Sequence, residues 1–509
     1  MRICIIAEGC YPYVVGGMSS WAHGLIRSFP HQEFVILTIV ANRELRGKFV
    51  YELPENVVEL HELYLDDLDW CRQRKRKSRM NKREYQALRS LMLGDRIEWE
   101  ELIDFFQKKK RSLNDLLMGE DFLHAVTEFY MMHYSQIIFT DFLWTMRSIY
   151  LPLFRALQMK IPKADAYHCL CTGYAGVLGC MGKHIHGGRL MISEHGIYTR
   201  EREEELIQSK WVKGIYKNIW IEQFHKMSKM AYDRGDLVTS LYEKARELQA
   251  ELECPVEKTM VVPNGVQIER FQGLLGKTET EREEIYIGAV LRVAPIKDVK
   301  TLIQAFGFAK EQDPRLKLWI MGPLEAEDEY AQECFDMVGI MGISGIVFTG
   351  KIDVQEYYGK MDMMILSSIS EGQPLVILES FAAHKPVIAT DVGDCRGLIL
   401  GNGGEDHFGE AGIITHIMNV GEITHAILTL AQDERKRHKM GENGYRRVCA
   451  LYRMEGMLNR YGKIYKEFAE SMGKVWQDEN MEIPEQNAAE DMNDKEFLKR
   501  QPEEKTAEV

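Results

Sequence analysis

The sequence predicts an α/β protein with two doubly wound domains that face each other across a cleft. Its 509 residues exceed the roughly 100–200 residues that one ordinary domain holds. Short apolar runs of strand length alternate with amphipathic stretches of helix length, which is typical of parallel sheets covered by helices. The alternation pauses between about residues 270 and 280 and then resumes, so it indicates two sheets rather than one barrel.

The first domain is predicted over residues 1–270. Its buried strands are expected at Ile3–Ala7, Glu33–Val40, Ala166–Cys171, Arg189–Ser193, Leu237–Ser240 and Thr259–Val262. Between about residues 68 and 157 the pattern changes to long helical periodicity, which predicts a helical insertion. Charge clusters at Arg72–Arg83 and Lys108–Arg111 interrupt it. The denser first cluster is either a solvated loop or a contact for anionic lipid or an acidic partner.

The second domain is predicted over residues 280–446, with strands starting at Ile285, Leu316, Ile346, Met363 and Pro386. An amphipathic stretch then predicts a C-terminal helix over 447–475 that packs back on the first domain. Residues 477–509 hold eleven acidic and four basic side chains, a net charge of −7, with few large apolar residues. That composition predicts an acidic disordered tail over 476–509.

Composition excludes several classes of protein. Apolar residues make up 45% and charged residues 28%, as in soluble globular proteins. No run has the length of a membrane span and the N-terminus lacks the apolar core of a signal peptide, so we expect a cytoplasmic protein. The net charge of −13 argues against nucleic-acid binding, and the ten scattered cysteines show neither a disulfide framework nor zinc spacing.

Two candidate features lie in the first domain. Gly16 and Gly17 directly precede a predicted helix, where bare backbone lets an anion approach the helix N-terminus. His195 follows the strand Arg189–Ser193, at the sheet edge where doubly wound folds place ligand-binding side chains. Taken alone, the glycines are equally explained by an ordinary turn, and the histidine by a hydrogen-bonded structural role.

Arg292 and Lys297 lie five residues apart on the loop that leaves the first strand of the second domain. Arginine offers a bidentate fork and lysine a point charge, and together they suit a leaving diphosphate on which charge builds. Singly, each is more simply a solvated surface charge. The pair therefore predicts a diphosphate site only in combination with other groups.

Glu371 and Glu379 flank a Gly-Gln-Pro turn and the start of a predicted helix. Their spacing allows one carboxylate to reach sugar hydroxyls and the other a ribose. The free amides near Leu375 and Val376, at the helix start, would face phosphate. The alternative is a capping residue combined with a helix surface charge.

The sequence resembles the retaining glycosyltransferases of family 4 in the order and rough spacing of its motifs, which are Gly16-Gly17, His195, Pro263–Val266, Arg292, Lys297 and the pair Glu371 and Glu379. The resemblance covers about residues 1–65 and 165–470. It implies the GT-B fold, in which two Rossmann-like domains face each other across a cleft.

Three longer segments resemble one branch of that family, the branch that contains PelF of Pel exopolysaccharide synthesis. They are Ala7–Trp21, Glu194–Arg202 and Thr390–Arg396. This resemblance implies transfer of a sugar from a UDP-sugar donor to a growing exopolysaccharide or another glycan acceptor, with no cofactor and no metal. It also implies peripheral contact with a membrane polysaccharide-export complex at the inner face of the membrane.

The resemblance further implies a role for each candidate residue. Arg292 and Lys297 would hold the donor diphosphate. Glu371 would contact the sugar hydroxyls, Glu379 the nucleotide ribose and His195 the donor sugar. The implied catalytic set is His195, Arg292, Lys297 and Glu371, and the donor-binding set also includes Gly16, Gly17, Gly372, Leu375, Val376 and Glu379.

One departure from the family pattern follows the Asp391–Gly393 turn. Where many relatives place a glutamate, this chain has Arg396 and Gly397, so this region is left out of the implied catalytic set. Two other functions stay open, a catalytically silent scaffold of a polysaccharide-synthesis complex and a GT-B epimerase or hydrolase acting on a nucleotide sugar. The intact cations and carboxylates argue against the scaffold, and an epimerase would need no acceptor.

Overall fold

The computed structural model describes residues 1–41, 43–65, 79–94, 96–108, 112–209, 211–323, 329–404 and 406–478. Most of the Arg72–Arg83 cluster, and all of the Lys108–Arg111 cluster after Lys108, lie outside these ranges. The chain forms two compact units. The first comprises Met1–Val262 and the segment that begins at Arg460, and the second comprises Pro263–Asn459.

The first unit is built on a seven-stranded parallel sheet in the order β3-β2-β1-β4-β5-β6-β7. The strands are β1 (Arg2–Glu8), β2 (Glu33–Val40), β3 (Val57–Tyr64), β4 (Ala166–Cys169), β5 (Arg189–Ser193), β6 (Leu237–Ser240) and β7 (Thr259–Val261). The sequence pattern missed β3 because it is an edge strand with polar side chains such as Glu59 and His61 and only two buried residues. Its first six residues are exposed or half-buried, so the segment lacks the continuous apolar run of a central strand.

The helices of the first unit cover both faces of this sheet and form the insertion. They are α1 (Gly17–Ser28), α2 (Lys82–Leu93), α3 (Trp99–Lys108), α4 (Leu113–Leu117), α5 (Glu120–Phe129), α6 (Phe139–Leu157), α7 (Tyr174–His186), α8 (Tyr198–Gln208), α9 (Ile215–Arg234) and α10 (Glu243–Glu251). Phe122, Phe142 and Phe154 of the insertion are fully buried in the same core as Tyr167 of β4. The insertion therefore completes the core of the first unit.

The second unit is built on a six-stranded parallel sheet in the order β10-β9-β8-β11-β12-β13. The strands are β8 (Ile285–Val290), β9 (Leu316–Met321), β10 (Ile346–Gly350), β11 (Met363–Leu366), β12 (Val387–Thr390) and β13 (Gly412–Thr415). The helices are α11 (Val299–Gln312), α12 (Glu329–Met341), α13 (Gln355–Tyr358), α14 (Leu375–Ala382), α15 (Cys395–Leu400), α16 (Val420–Gln432) and α17 (Glu434–Leu451). The sequence pattern missed β13 and α15, which have only four and six residues.

The division between the units lies earlier in the chain than the predicted boundary between residues 270 and 280. Val266, Ile268 and Phe271 are buried in the core of the second unit, in the same cluster as Tyr358 and Ile377. The polar stretch after residue 277 misled the prediction because it is a surface turn within this unit. Apolar packing, rather than the polar composition of a loop, sets the boundary.

The predicted single helix over 447–475 is two helices, α17 and α18 (Met454–Ser471). Between them the Tyr452 carbonyl accepts from the Val266 N–H at 2.9 Å, and the Met454 N–H donates to the Val266 carbonyl at 3.0 Å. A Cβ on Gly265 would lie 2.6 Å from the Met454 Cα. These bonds compete with helical ones, so the helix stops where it meets the Pro-Asn-Gly turn.

From Arg460 onward α18 belongs to the first unit. The predicted disordered tail begins too early, because Trp476 is buried against Phe29 and Tyr465 at ring-centroid distances of 5.6 and 6.0 Å. The rest of the predicted tail, residues 479–509, lies outside the described residues. Across the described part of the chain, no helix combines the length and the apolar character needed to cross a membrane.

Candidate functional site

In the second unit, Lys297 and Glu371 meet where the strand order reverses. Parallel doubly wound sheets bind ligands at the carboxyl ends of the two strands on either side of this point, here β8 and β11. The loop after β8 carries Lys297 and the loop after β11 carries Glu371, and Lys297 Nζ lies 2.5 Å from Glu371 Oε1. The Ile369 N–H donates to the Ile296 carbonyl and Ser367 Oγ to the Lys297 carbonyl, both at 2.8 Å. The structure thus joins two residues that are 74 positions apart.

The charges at this point are partly open to water. The side chain of Lys297 is 25% exposed and that of Glu371 is 12% exposed. Ser368 Oγ also donates to Glu371 Oε1 at 2.5 Å. Arg292 is exposed, and no described side chain forms a hydrogen bond or ion pair with it. One cation is therefore available to an anion, and the other is held by a carboxylate that a ligand could replace.

Glu379 lies in the second turn of α14. Its Oε2 accepts a hydrogen bond from Tyr358 Oη at 3.2 Å. Burial raises the pKa of Glu379, and the bond from Tyr358 opposes that rise. A carboxylate that is shielded from water is stabilised by additional hydrogen-bond donors, such as the hydroxyl groups of a ligand.

The N-terminus of α14 presents the amides predicted to face phosphate. Leu375 and Val376 are its first two residues, both half-buried, and Pro374 precedes them without a side-chain cap. The first amides of a helix have no partner within the helix. The Gly372 carbonyl, just before the helix, accepts a hydrogen bond from the Asp394 N–H at 2.9 Å.

Three buried polar residues next to this site were not among the predicted site residues. Gln373 Nε2 donates to Asp394 Oδ2 at 2.7 Å, and the Asn264 N–H donates to Gln373 Oε1 at 2.7 Å. Burial raises the pKa of Asp394 to about 7. These residues lie in the Pro-Asn-Gly, Glu-Gly-Gln-Pro and Asp-Val-Gly-Asp turns. All three turns were among the sequence motifs, but nothing in the sequence indicated that these three side chains bond to one another.

Arg396 and Gly397, the departure from the family pattern, have separate roles in the structure. Arg396 is exposed and forms a bidentate ion pair with Asp391, with Nη2 to Oδ2 at 2.5 Å. A Cβ on Gly397 would lie 2.5 Å from Asp394 Oδ1 and 2.4 Å from Asn402 Oδ1. A side chain at position 397 therefore has no room beside the Asp394 carboxylate.

The first unit holds the other predicted residues, Gly16, Gly17 and His195. Gly16 is the exposed N-cap of α1, and a Cβ built there would meet nothing within 4 Å. Gly17 begins the helix, which carries Trp21. The Trp21 ring lies edge-on to the His195 ring at a centroid distance of 4.5 Å. The structure thus connects the helix after the glycine pair to His195.

His195 has an unpaired ring nitrogen. Its Nε2 is buried and has no hydrogen-bond partner among the described residues. Burial lowers the pKa of His195 to about 4, so the ring is neutral at pH 7. A neutral imidazole held by Trp21 can donate or accept one hydrogen bond to a ligand hydroxyl.

The neighbouring Glu194 is fully committed to the protein. Oε1 accepts from Thr172 Oγ1 at 3.1 Å, and Oε2 accepts from Tyr232 Oη at 2.7 Å and from Gln249 Nε2 at 2.9 Å. Burial raises the pKa of this carboxyl group, and the hydrogen bonds oppose the rise. Glu194 therefore ties the segment after β4, α9 and α10 to the end of β5.

A second buried hydrogen-bond network is centred on His168 of β4, the strand that pairs with β5. His168 Nδ1 is 2.6 Å from Tyr465 Oη, and His168 Nε2 is 2.7 Å from Ser193 Oγ, which also accepts from Thr239 Oγ1 at 2.8 Å. Burial lowers the pKa of His168 to about 3. The last part of α18 is thereby bonded to three strands of the first sheet. Within the described ranges, no group of His, Cys, Asp and Glu side chains is arranged to hold a metal ion.

Comparisons with known proteins identify both parts of the chain. A family model described as domain of unknown function DUF3492 matches residues 1–257, half of the chain. A model described as glycosyl transferases group 1 matches residues 283–433. The chain belongs to the DUF3492 family, and its second part is of the group 1 glycosyltransferase type, so the protein is a glycosyltransferase.

Curated relatives and solved structures agree with this assignment. The chain is 23% identical over 325 residues to the MMP α-(1→4)-mannosyltransferase of Mycolicibacterium hassiacum, covering 62% of this chain and 73% of the relative. It is 27% identical over 218 residues to the capsular polysaccharide biosynthesis glycosyltransferase CapM of Staphylococcus aureus, covering 42% of this chain and 55% of CapM.

The fold itself matches solved structures over nearly the whole chain. Sucrose-phosphate synthase of Thermosynechococcus elongatus has a TM-score of 0.59 and 15% identity, covering 92% of this chain and 99% of that one. HepE of Anabaena, solved with UDP-glucose, has a TM-score of 0.58 and 13% identity, covering 92% of this chain and 100% of that one. The predicted GT-B fold and the predicted class of enzyme are confirmed.

Proposed function

We propose that this glycosyltransferase moves a sugar, with retention of configuration, from a UDP-sugar to a growing exopolysaccharide of the Pel type or to a similar glycan. The observation that carries the proposal is the pairing of Lys297 with Glu371 at the strand reversal of the second unit, where Lys297 shares the loop after β8 with the exposed Arg292. A cation and a carboxylate side by side suit a donor whose diphosphate and sugar hydroxyls are adjacent.

Each group of the second unit has a place in this proposal. Lys297 exchanges its contact with Glu371 for the diphosphate, and Arg292 forms a bidentate contact with the same anion. Glu371 is then free to accept hydrogen bonds from sugar hydroxyls. Glu379 takes the ribose hydroxyls as donors, and the amides of Gly372, Leu375 and Val376 face phosphate oxygens.

The reaction needs no side-chain nucleophile. The acceptor hydroxyl attacks the anomeric carbon from the side of the departing diphosphate, and a bond from that oxygen forms as the bond to the phosphate oxygen breaks. The electron pair of the broken bond leaves with UDP, and the phosphate takes the proton of the acceptor hydroxyl. Lys297 and Arg292 stabilise the charge that builds on the diphosphate.

The first unit contributes His195 and the glycine pair. His195, neutral and oriented by Trp21, has a ring nitrogen to offer to a hydroxyl of the donor sugar. The open space around Gly16 leaves the backbone at the start of α1 accessible to phosphate. The choice of uridine is supported by HepE of Anabaena, which is solved in complex with UDP and with UDP-glucose.

Isothermal titration with UDP and a panel of UDP-sugars tests the donor site. Lys297→Ala and Glu371→Ala are expected to weaken binding by about tenfold or more, because each removes a charged contact. Lys300→Ala is the matched control, since Lys300 pairs with Glu333 on the neighbouring helix surface and faces no proposed ligand. Unchanged affinity in Lys297→Ala would remove this residue from the site.

Product analysis separates transfer from isomerisation or hydrolysis of the donor. The purified chain is incubated with UDP-sugars in the presence and absence of oligosaccharide acceptors. Transfer predicts extended oligosaccharide and free UDP only when an acceptor is present. Conversion of the nucleotide sugar without an acceptor would support the epimerase, and rapid release of free sugar would support the hydrolase.

We also propose that the insertion recruits the protein to a membrane-embedded export complex. Four large apolar side chains of the insertion are more than half exposed, Met131, Met132, Ile138 and Trp144. Exposed large apolar side chains are enriched at interaction surfaces when they form a contiguous patch. Deleting the insertion is a poor test because its phenylalanines belong to the core of the first unit.

Polar substitution of these four residues is the sharper test of recruitment. The substituted chain is expected to move from the membrane fraction to the soluble fraction of cells that produce the polysaccharide, while UDP binding is retained. The matched control substitutes the exposed Ile340 and Phe308 of the second unit. Unchanged membrane association in the fourfold variant would refute this role for the insertion.

A further inference from the structure

Three turns of the second unit meet around one glutamine side chain. They are the Pro-Asn-Gly turn with Asn264, the Glu-Gly-Gln-Pro turn with Gln373 and the Asp-Val-Gly-Asp turn with Asp394. Each of these three side chains is 5% exposed. We call Asn264, Gln373 and Asp394 the Gln373 network.

The turns that carry Asn264 and Asp394 are both hydrogen-bonded to the turn that carries Glu371 and Gln373. Gln373 Nε2 donates to Asp394 Oδ2 at 2.7 Å, and Asp394 returns a bond from its N–H to the Gly372 carbonyl at 2.9 Å. On the other side, Asn264 donates from its N–H to Gln373 Oε1 at 2.7 Å and from Nδ2 to the Gln373 carbonyl at 3.2 Å. Four buried bonds therefore hold the two residues that follow Glu371.

The network also accounts for the departure at Gly397. The space where a side chain at 397 would start is filled by the carboxylate of Asp394 and the amide of Asn402. The same carboxylate is the acceptor for Gln373. The turn that carries Asp394 is therefore built with a glycine three residues later, and it directs its carboxylate toward the Glu371 turn.

We propose that the Gln373 network is a positioning device, in which Asp394 acts through Gln373 to hold Glu371 and the first amides of α14 in the geometry that binds the donor. This inference rests on the proposed function of the site. A buried hydrogen-bonded network of this kind specifies one conformation, because each unmade bond leaves a buried polar group unpaired. Without the network, the two residues that follow Glu371 lose these four bonds.

The direction of the Gln373–Asp394 bond makes the proposal testable by exchange of donor and acceptor. Gln373→Glu places a second carboxyl group opposite Asp394, so at pH 8, above the pKa of Asp394, the pair must either separate or take up a proton at a cost in free energy. Adding Asp394→Asn gives the pair one donor and one acceptor again, in reversed direction, while the introduced glutamate still accepts from the Asn264 N–H. The double variant is therefore expected to recover what the single variant loses.

Two measurements follow the variants. Titration with UDP and UDP-glucose is expected to show about a tenfold loss of affinity in Gln373→Glu and recovery to within about threefold in the double variant. Amide hydrogen exchange of the peptide covering residues 368–378, measured without nucleotide, is expected to accelerate in the single variant and return in the double variant. Asp394→Leu, which removes the acceptor without adding charge, is expected to match the single variant in both measurements.

A matched control exists on the surface of α12. Gln332 Nε2 donates to Asp336 Oδ1 at 2.8 Å, the same pairing as in the network but exposed to water. Gln332→Glu is expected to change neither affinity nor exchange of the 368–378 peptide. A double variant that behaves like Gln373→Glu, or an Asp394→Leu variant that behaves like the unaltered protein, would overturn the proposal.

Failure of the proposed function gives a different pattern. If the unaltered protein binds no uridine nucleotide, the donor assignment fails, yet the exchange of the 368–378 peptide still reports on the network. If the nucleotide binds and Lys297→Ala weakens it, but the exchange and affinity do not follow the Gln373 variants, the donor site stands and the positioning role is lost.

Discussion

The two units of this glycosyltransferase have the same strand reversal but use it differently. In the first unit the reversal lies between β1 and β4, and Glu8 at the end of β1 accepts from Tyr198 Oη at 3.0 Å, from the Ala175 N–H at 3.1 Å and from Cys171 Sγ at 3.4 Å. In the second unit the corresponding charges are Lys297 and Glu371, which contact chiefly each other and lie partly open to water.

Under the proposed function, the same topology serves architecture in the first unit and ligand binding in the second. A carboxylate with several protein donors cannot release them to a ligand without leaving buried donors unpaired. A partly exposed lysine and glutamate can replace their contact with each other by contacts with a ligand at a small cost in free energy. The number of protein donors around a carboxylate therefore separates the structural acid Glu8 from Glu371, the proposed binding acid.

The largest expected effect comes from removing the most committed carboxylate of the first unit. Glu194→Ala leaves Tyr232, Gln249 and Thr172 without their acceptor, so the free energy of unfolding should fall by about 3 kcal/mol. Glu371→Ala, the control from the second unit, should change it by less than about 1 kcal/mol while weakening UDP binding. Urea denaturation of both variants measures the difference, and equal losses of stability would remove the contrast.

The next effect tests the close packing of the second unit around Glu371. Gly393 has φ +54°, and a Cβ there would lie 2.2 Å from the Gly372 carbonyl oxygen and 2.3 Å from that of Glu371. Gly393→Ala should cost about 2–3 kcal/mol of stability and weaken UDP binding, because the Glu371 turn must shift.

The control for this substitution is Gly403→Ala. Gly403 has φ +74°, but a Cβ there would meet nothing within 4 Å. Only the backbone conformation is then penalised, which should cost about 1 kcal/mol and leave UDP binding unchanged. Thermal unfolding and titration measure both quantities, and similar losses in the two variants would show that packing against the Glu371 turn is unimportant.

A smaller effect sharpens the comparison through pH. The folded protein raises the pKa of Asp394 to about 7, so it retains a proton that the unfolded chain releases near pH 4. The contribution of Asp394 to stability therefore falls as the pH rises from about 4 to about 7 and is constant above that. The free energy of unfolding of Asp394→Asn, taken relative to that of the unaltered protein, should therefore rise by on the order of 2 kcal/mol between pH 5 and pH 8.

Urea denaturation of the two proteins at pH 5 and pH 8 checks this prediction. The quantity to compare is the difference in the free energy of unfolding between variant and parent, because other titrating groups cancel in that difference. A difference that stays the same at both pH values would show that Asp394 titrates at its ordinary pKa in the folded protein.

The smallest expected effect concerns Arg396. Its ion pair with Asp391 is exposed, so Arg396→Ala should change the free energy of unfolding by less than about 0.5 kcal/mol. UDP affinity should also be unchanged, since Arg396 is held by Asp391 and not by the Glu371 turn. A clear loss of affinity in the titration would instead add Arg396 to the proposed donor site of the second unit.

The sequence alone determined the fold class, because the alternation of buried strands with amphipathic helices depends on local apolar patterning. It also determined which segments carry Lys297 and Glu371, since charges just after buried strands of a doubly wound sheet are recognisable one by one. It did not yield the edge strand β3, the division before Pro263 or the break between α17 and α18. Each of these depends on pairing with a distant segment, such as that of Val266 with Tyr452.

Only the tertiary structure decided which polar residues are bonded to one another. Glu194 and Glu371 both follow buried strands in the sequence, yet one is enclosed by donors from three other elements and the other faces a lysine and water. Likewise, Gln373, Asn264 and Asp394 read as ordinary turn residues until the fold brings their turns together. Hydrogen bonding is short-ranged and directional, so its partners are set by the packing of remote segments and not by local sequence.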